Sequence, residues 1–177
     1  KEAGQENLSF TLLVIDNWIK DLAAQIQQDL QAVGLTCTLD VQAAPYPSLA
    51  AKEDNSVLDY DVFLAPGDVS CFGTNADVHL AWFYGENTDW CQGRTCWAKA
   101  GDGKCTEFNQ YLDEARRATD AGARQEAYNK CFDIIAEEVP LYPLFHKKVL
   151  TGYWADKIEG FEPSPTTGLY FQDAKLK

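Results

Sequence analysis

No apolar run in this chain approaches the ~18 residues of a membrane span, and the run Leu12 to Ile15 is far too short. Basic residues are scarce, 15 against 27 acidic ones, for a formal net charge of −12. No basic patch of the kind that marks a nucleic-acid binder is visible. An acidic surface favours solubility and cationic or neutral partners. There is no G-x-S-x-G elbow, no P-loop and no G-x-G-x-x-G. The chain has only two histidines, His79 and His146, far apart and outside any recognised motif. His79 reads as a surface or packing residue. Glu137 and Glu138 are sequence neighbours that point apart on a helix, so they read as a solvated helix end. Lys1 to Asn7 are polar and lack the apolar core of a signal peptide. The chain is therefore expected to begin inside a mature protein, or to be an excised piece of one.

What is present is globular. Hydrophobic residues make up 46% of 177, enough for one domain with a sizeable core, while a second full domain would be hard to accommodate. Leu8 to Ile15 reads as a buried strand. Asp16 and Asn17 are N-cap residues for a helix from Trp18 to Val33, with Ile19, Leu22, Ala23, Ile26, Leu30 and Val33 at helical spacing. Gly34 is its C-cap, and Leu35 to Val41 alternates as a second strand. Together these form a β-α-β unit, which implies parallel strands. Pro45 and Pro47 break the chain before a short helix, Ser48 to Lys52. The run Val62 to Ala65 is a third strand, stopped by Pro66 and Gly67. A helix capped by Asp77 carries Val78, Ala81 and Trp82. Further helices start at Thr106, with Phe108, Tyr111, Leu112 and Ala115 on one face, and after Asp120, with Ala127, Cys131, Ile134 and Ile135 inward. Leu141 to Phe145 and Val149 to Trp154 read as two closing strands. The tail from Ile158 has no regular period.

Gly85 to Lys104 is a long irregular loop, and such loops are functional or pinned by crosslinks. It holds Cys91, Cys96 and Cys105 within and at its end. The spacing lacks the paired short intervals of a zinc ribbon, and no histidine lies near. Disulfides are favoured over metal or free thiols, and disulfides belong to extracytoplasmic proteins. Six cysteines allow 15 connectivities. Cys37 and Cys131 face inward, so they are expected as buried thiols, with pairing between them possible. Of the five tryptophans, Trp18 and Trp154 are expected in the core. Trp82, Trp90 and Trp97 lie near the central loop and could face a cleft, a partner or the core.

The loop after Val62 to Ala65 is the candidate site, because ligands bind beyond the carboxyl ends of strands in open α/β sheets. Asp68 follows Gly67 directly. Its carboxylate could pair with a cationic group such as a peptide amino terminus, or it could serve as an Asx-turn residue.

The chain resembles a family. The order strand, helix ending in Gly34, strand leads to Asp59-Tyr60-Asp61-Val62 and a Gly-Asp loop. Glu107-Phe108-x-x-x-Leu112-x-Glu114-Ala115 and Ala127-Tyr128 follow. Then come Ile134-x-Ala136-Glu137-Glu138-Val139-Pro140-Leu141-Tyr142-Pro143-Leu144 and Ile158-Glu159-Gly160-Phe161-Glu162-Pro163. This ordered set is similar to the carboxyl-terminal lobe of extracellular solute-binding proteins of oligopeptide, dipeptide and nickel ABC transporters. It covers nearly the whole chain.

The resemblance implies an α/β, periplasmic-binding-protein-like (type II) lobe, with a mixed sheet and helices on both faces. Residues 1–157 would form the ligand-binding lobe, and residues 158–177 a return segment packing on a first lobe absent from this chain. Where the family often has Gly-Trp and then Asp, this chain has Gly67-Asp68-Val69-Ser70-Cys71-Phe72-Gly73. The expected ligand residues are Asp68, Ser70, Phe72, Thr74, Asn75 and Trp82. The expected disulfide residues are Cys91, Cys96 and Cys105. The implied role is capture of peptides or a similar small polar solute for uptake, with no catalysis, no cofactor and no resident metal. The implied partners are a small-molecule or peptide ligand and an ABC transporter permease, with no nucleic acid. The implied location is extracellular or periplasmic, with cell-surface attachment through a lipid anchor outside this chain. An extracellular protein-interaction domain using the exposed aromatic loop is the alternative. An α/β enzyme is a third class, for which no convergent acid, base or nucleophile is seen.

Overall fold

The computed structural model describes residues 8–43, 60–67, 73, 75–146, 148, 150–162 and 171–177. The expected helix Ser48 to Lys52 lies outside them.

Strand β1 (Ser9–Ile15) is the centre of the molecule's sheet. Leu12, Leu13 and Val14 are buried, and a run of branched residues covered on both faces suits a central parallel strand. Helix α1 (Ile19–Ala32) follows, and it buries Ile19 and Ala23 with Ile26 and Leu30 partly covered. Asn17 Oδ1 accepts from the Ile19 amide at 2.9 Å, as its cap role predicts. Asp16 instead pairs with Lys20 one turn on. Gly34 takes φ +91° just past the helix, a conformation that favours glycine. Strand β2 (Thr36–Gln42) then pairs in parallel with the whole of β1.

Strand β3 (Val62–Leu64) pairs in parallel with the other edge of β1, Leu12 opposite Val62. Asp61 extends this ladder. Its amide donates to Thr11 O at 3.1 Å, and its Oδ2 accepts from the Thr11 amide at 2.8 Å. The carboxylate thus takes the place of a strand carbonyl. The sheet order is β2-β1-β3. The fold class is α/β as expected, and the described part of this sheet is parallel throughout.

The second half of the chain is helical. Helix α2 (Ala76–Tyr84), α3 (Lys104–Arg117) and α4 (Ala121–Glu138) share a core of Leu80, Cys91, Trp97, Cys105, Phe108, Leu112, Cys131 and Ile134. Asn75, not Asp77, caps α2, accepting from the Asp77 amide at 3.0 Å. Asp77 is then free of cap duty and binds Arg116 Nε on α3 at 2.6 Å. Asp120 caps α4 as expected, accepting from the Ala123 amide at 2.8 Å. Helix α3 begins at Lys104, two residues ahead of the expected Thr106, after Gly103 at φ +80°.

The two closing strands are not formed. Residues 141–146 and the described part of 149–154 are irregular and lack a strand partner. Pro143 has no amide to donate, and Tyr142, Leu144, Phe145 and Leu150 are exposed. Trp18 and Trp154, expected in the core, are 48% and 71% exposed. Trp18 precedes the first turn of α1, off the face that carries Ile19 and Ala23, and Trp154 belongs to the irregular segment. In the tail, β4 (Ile158–Glu159) pairs antiparallel with β5 (Lys175–Leu176). Phe161 is packed there between Tyr153 and Phe171.

Helix α4 ends on Val139 at φ +46°, ψ +49°. This left-handed conformation is costly for a β-branched residue, and the Val139 side chain is largely exposed. Val139→Gly should raise stability by about 0.5–1 kcal/mol, the strain relieved less the added freedom of the unfolded chain. Urea unfolding of the two proteins checks this, and a lower midpoint for the glycine variant would refute the strain.

Candidate functional site

Strand β1 has β2 on one side and β3 on the other. The direction of winding therefore reverses between β1 and β3. Beyond the carboxyl ends of two such strands the loops part and leave a crevice, which is where open α/β sheets bind ligands. The loop after β3 begins there. Asp68, Ser70, Phe72 and Thr74 lie outside the described residues, but both ends of their loop are placed. Gly67 lies against the Phe83 ring, whose Cζ would be 3.6 Å from a Cβ at that position. At the other end, His79 Nε2 donates to Gly73 O at 3.0 Å. Helix α2 thus holds the loop at both ends.

The other two expected ligand residues fall differently. Asn75 spends its side-chain oxygen on capping α2. Trp82 projects from α2 and is 52% exposed.

Beside the loop lies an aromatic group that no sequence motif marks as a set. Phe83 packs on Trp90 with ring centroids 5.1 Å apart. Arg94 sits over the Trp90 ring, its Cζ 4.1 Å from the centroid. Tyr60, next to Phe63, donates its hydroxyl to Arg94 O at 3.1 Å. Burial pushes the Arg94 guanidinium down from its ordinary range, opposed by the charge of Asp89. Burial likewise raises Tyr60. The only sequence signal for this group was an aromatic-rich loop with one arginine, because the π-helical turn Trp90–Arg94 that stacks the pair has no recognisable pattern.

The segment between α2 and α3 is ordered by its own bonds. Gly85 is buried, and a Cβ there would run into the Ala81 carbonyl. Gln92 Nε2 donates to Glu86 O at 2.7 Å, and Asn109 on α3 accepts from the Glu86 amide at 3.1 Å. Trp97, of the three tryptophans near the loop, is the buried one, edge-on to Phe108 and Tyr84.

Cys91 and Cys105 meet in this core with their sulfurs 3.2 Å apart, as a thiol contact. Burial raises both thiols, and the contact with Cys91 raises Cys105 further, to about 12. Cys96 lies apart from that contact, its Sγ 3.7 Å from Gln92 O. Cys37 is buried in the sheet core and Cys131 in the helical core, so each reads as a buried thiol. Among the described residues no group of three or more His, Cys, Asp or Glu side chains is placed to hold a metal ion, and no helix is long and apolar enough to cross a membrane. A groove of about 230 Å³ between α3 and α4, lined by Glu114, Ala118 and Glu126 among others, involves none of the expected ligand residues.

This fold recurs in known proteins. The chain is 24% identical over 157 residues to the peptide transport periplasmic protein SapA of Haemophilus influenzae, covering 85% of this chain and 25% of SapA. It superposes on a nickel ABC transporter protein from Bacillus halodurans with a TM-score of 0.54 and 19% identity, covering 75% of this chain and 26% of that one. NikZ from Campylobacter jejuni, solved in complex with Ni(L-His), gives a TM-score of 0.50 and 17% identity over 75% of this chain and 25% of its own. The chain has the fold of a lobe of type II periplasmic binding proteins. The resemblance to the oligopeptide, dipeptide and nickel transporter family therefore stands on both sequence and fold. The lobe spans about a quarter of the length of each of these three proteins. No protein-family model matches it.

Proposed function

We propose that this lobe forms one side of the ligand site of a solute-binding protein that passes peptides, or a similar small polar solute, to an ABC transporter permease. The observation that carries this reading is the loop held by α2 at the β1/β3 reversal, on a fold shared with transport proteins. Binding there needs no catalysis. The name of the Haemophilus relative favours peptides within the class. In the whole protein a first lobe would close the crevice. It would also cover apolar side chains exposed between Val139 and Trp154, such as Tyr142, Leu150 and Trp154. Residues 158–177 would be the return segment reaching that lobe. The protein would act in the periplasm or outside the cell, held to the membrane by a lipid anchor beyond this chain. The paired β4–β5 ends fit a segment that leaves the lobe and returns.

Within this reading Asp68, Ser70 and Phe72 contact ligand, with the Asp68 carboxylate on a peptide amine. Asp68→Asn in the two-lobed protein should weaken an amine-bearing peptide by ~1.5–3 kcal/mol, the usual worth of a hydrogen bond to a charged group. Its thermal melt should be unchanged. Equilibrium titration and melts of both proteins decide the matter. Unchanged affinity with a lower melting temperature would return Asp68 to the turn role.

A further inference from the structure

Trp18 is 48% exposed, and the duties the fold could give it belong to its neighbours. Ile19 and Ala23 fill the sheet core on the inner face of α1. Asn17 takes the cap, its Oδ1 accepting from the Ile19 amide. A solvated helix start favours small polar residues, so tryptophan is larger than this position requires. A large ring left half open to solvent on an ordered turn is more typical of a contact surface.

The turn that carries it is braced. The Asp16 amide donates to Gln42 O at 2.9 Å, which ties the turn to β2. The Asn17 amide donates to Ile15 O at 2.8 Å, and the Lys20 amide to Asn17 O at 3.1 Å. Asp16 also pairs with Lys20 at 3.0 Å. A ring on such a support gives up little freedom when a ligand meets it.

Position gives the contact a direction. The turn leaves the carboxyl end of β1, and the candidate ligand loop leaves the carboxyl end of β3, its parallel neighbour. A crevice at the reversal of winding is bounded by the loops of both strands. Asp16 to Trp18 therefore form the wall opposite the β3 loop, and Trp18 is the one apolar residue of that turn. The Asp16 carboxylate is engaged by Lys20, which leaves the indole as the open contact. An indole face takes an aromatic side chain in stacked or edge-on contact.

We propose that Trp18 is a specificity-determining wall of the ligand crevice and packs on an aromatic side chain of the bound peptide. This rests on the reading of the β1/β3 crevice as the ligand site. It adds a preference within that reading, for peptides that carry an aromatic residue over those that lack one.

The test uses trialanine and its three single-phenylalanine variants. They are titrated by calorimetry into the full-length protein carrying this chain, native, Trp18→Ala and Trp18→Phe, each shown folded by its melt. At least one phenylalanine peptide should bind the native protein about 10-fold more tightly than trialanine, the order of one buried aromatic contact. Trp18→Ala should bring that ratio to about one. Trp18→Phe, which keeps a smaller ring, should retain part of it. A ratio near one in the native protein, or a preference that survives Trp18→Ala, overturns the wall. Survival with every peptide weakened alike would assign the ring to contact with the first lobe instead. If no peptide binds, the peptide reading falls, and N-acetylphenylalanine amide decides the wall by itself. A saturable shift of the Trp18 indole N–H resonance on adding it sustains the wall. No shift overturns it.

Discussion

Oxidation should join Cys91 to Cys105, and Cys105→Ser should then lower the unfolding free energy by about 2–5 kcal/mol. The sulfurs are 3.2 Å apart, so a bond of ~2.04 Å requires an approach of only roughly 1.2 Å. The bond would close a loop of about 15 residues, for which chain entropy alone suggests ~3 kcal/mol. Both thiols are buried and raised, Cys105 to about 12. Since the thiolate is the reactive form, the folded, reduced protein should oxidise slowly, and the bond should form during folding. The reduced chain also carries a pH signature. A thiol raised in the folded state adds stability below the ordinary thiol value of 9.0, and that stability is lost as pH rises through the folded value near 12. The oxidised chain should lack this loss. Thiol counting under denaturing, non-reducing conditions, with urea unfolding with and without reductant, checks the claim. Six free thiols in protein made in an oxidising compartment, or a Cys105→Ser cost independent of reductant, would sink it.

Phe108→Ala should cost about 3–5 kcal/mol, the range for deleting a buried phenyl ring. Phe108 is fully buried. It packs on Trp97 at 5.5 Å and on Tyr84 at 5.8 Å between ring centroids, so it ties the segment between α2 and α3 to both helices. A cavity there would have little means of collapse, since Leu112 and Cys131 on the other sides are themselves held by α3 and α4. Trp97 should also lose its fixed setting, so near-ultraviolet dichroism should fall along with the urea midpoint. A cost below ~1 kcal/mol would show that the two helices alone hold this core.

The parts of the fold that were legible in the sequence are those governed by local periodicity. Strand β1, helix α1 and strand β2 appear within a residue or two of their expected limits because branched runs, a 3.6-residue period and Gly34 all agree. Asp120 was readable as a cap for the same reason. The closing strands do not form because the apolar side chains of Tyr142, Leu144 and Phe145 are exposed rather than buried, and among the described residues no strand pairs with them. Trp18 and Trp154 failed likewise, since a large apolar side chain does not announce which surface covers it. Of the candidate site, the loop's place at the end of β3 is legible in the apolar run Val62 to Ala65 and its stop at Pro66 and Gly67. The Arg94–Trp90 stack is not, because it depends on a π-helical turn and on two aromatic contacts from other elements.

Calorimetric titration of the full-length protein with short peptides bearing free termini tests the ligand-binding account most directly. Saturable one-to-one binding with a negative heat-capacity change, from closure over apolar surface, is the result it predicts. No saturable binding by any such peptide, in a protein shown to be folded by its melt, would contradict it.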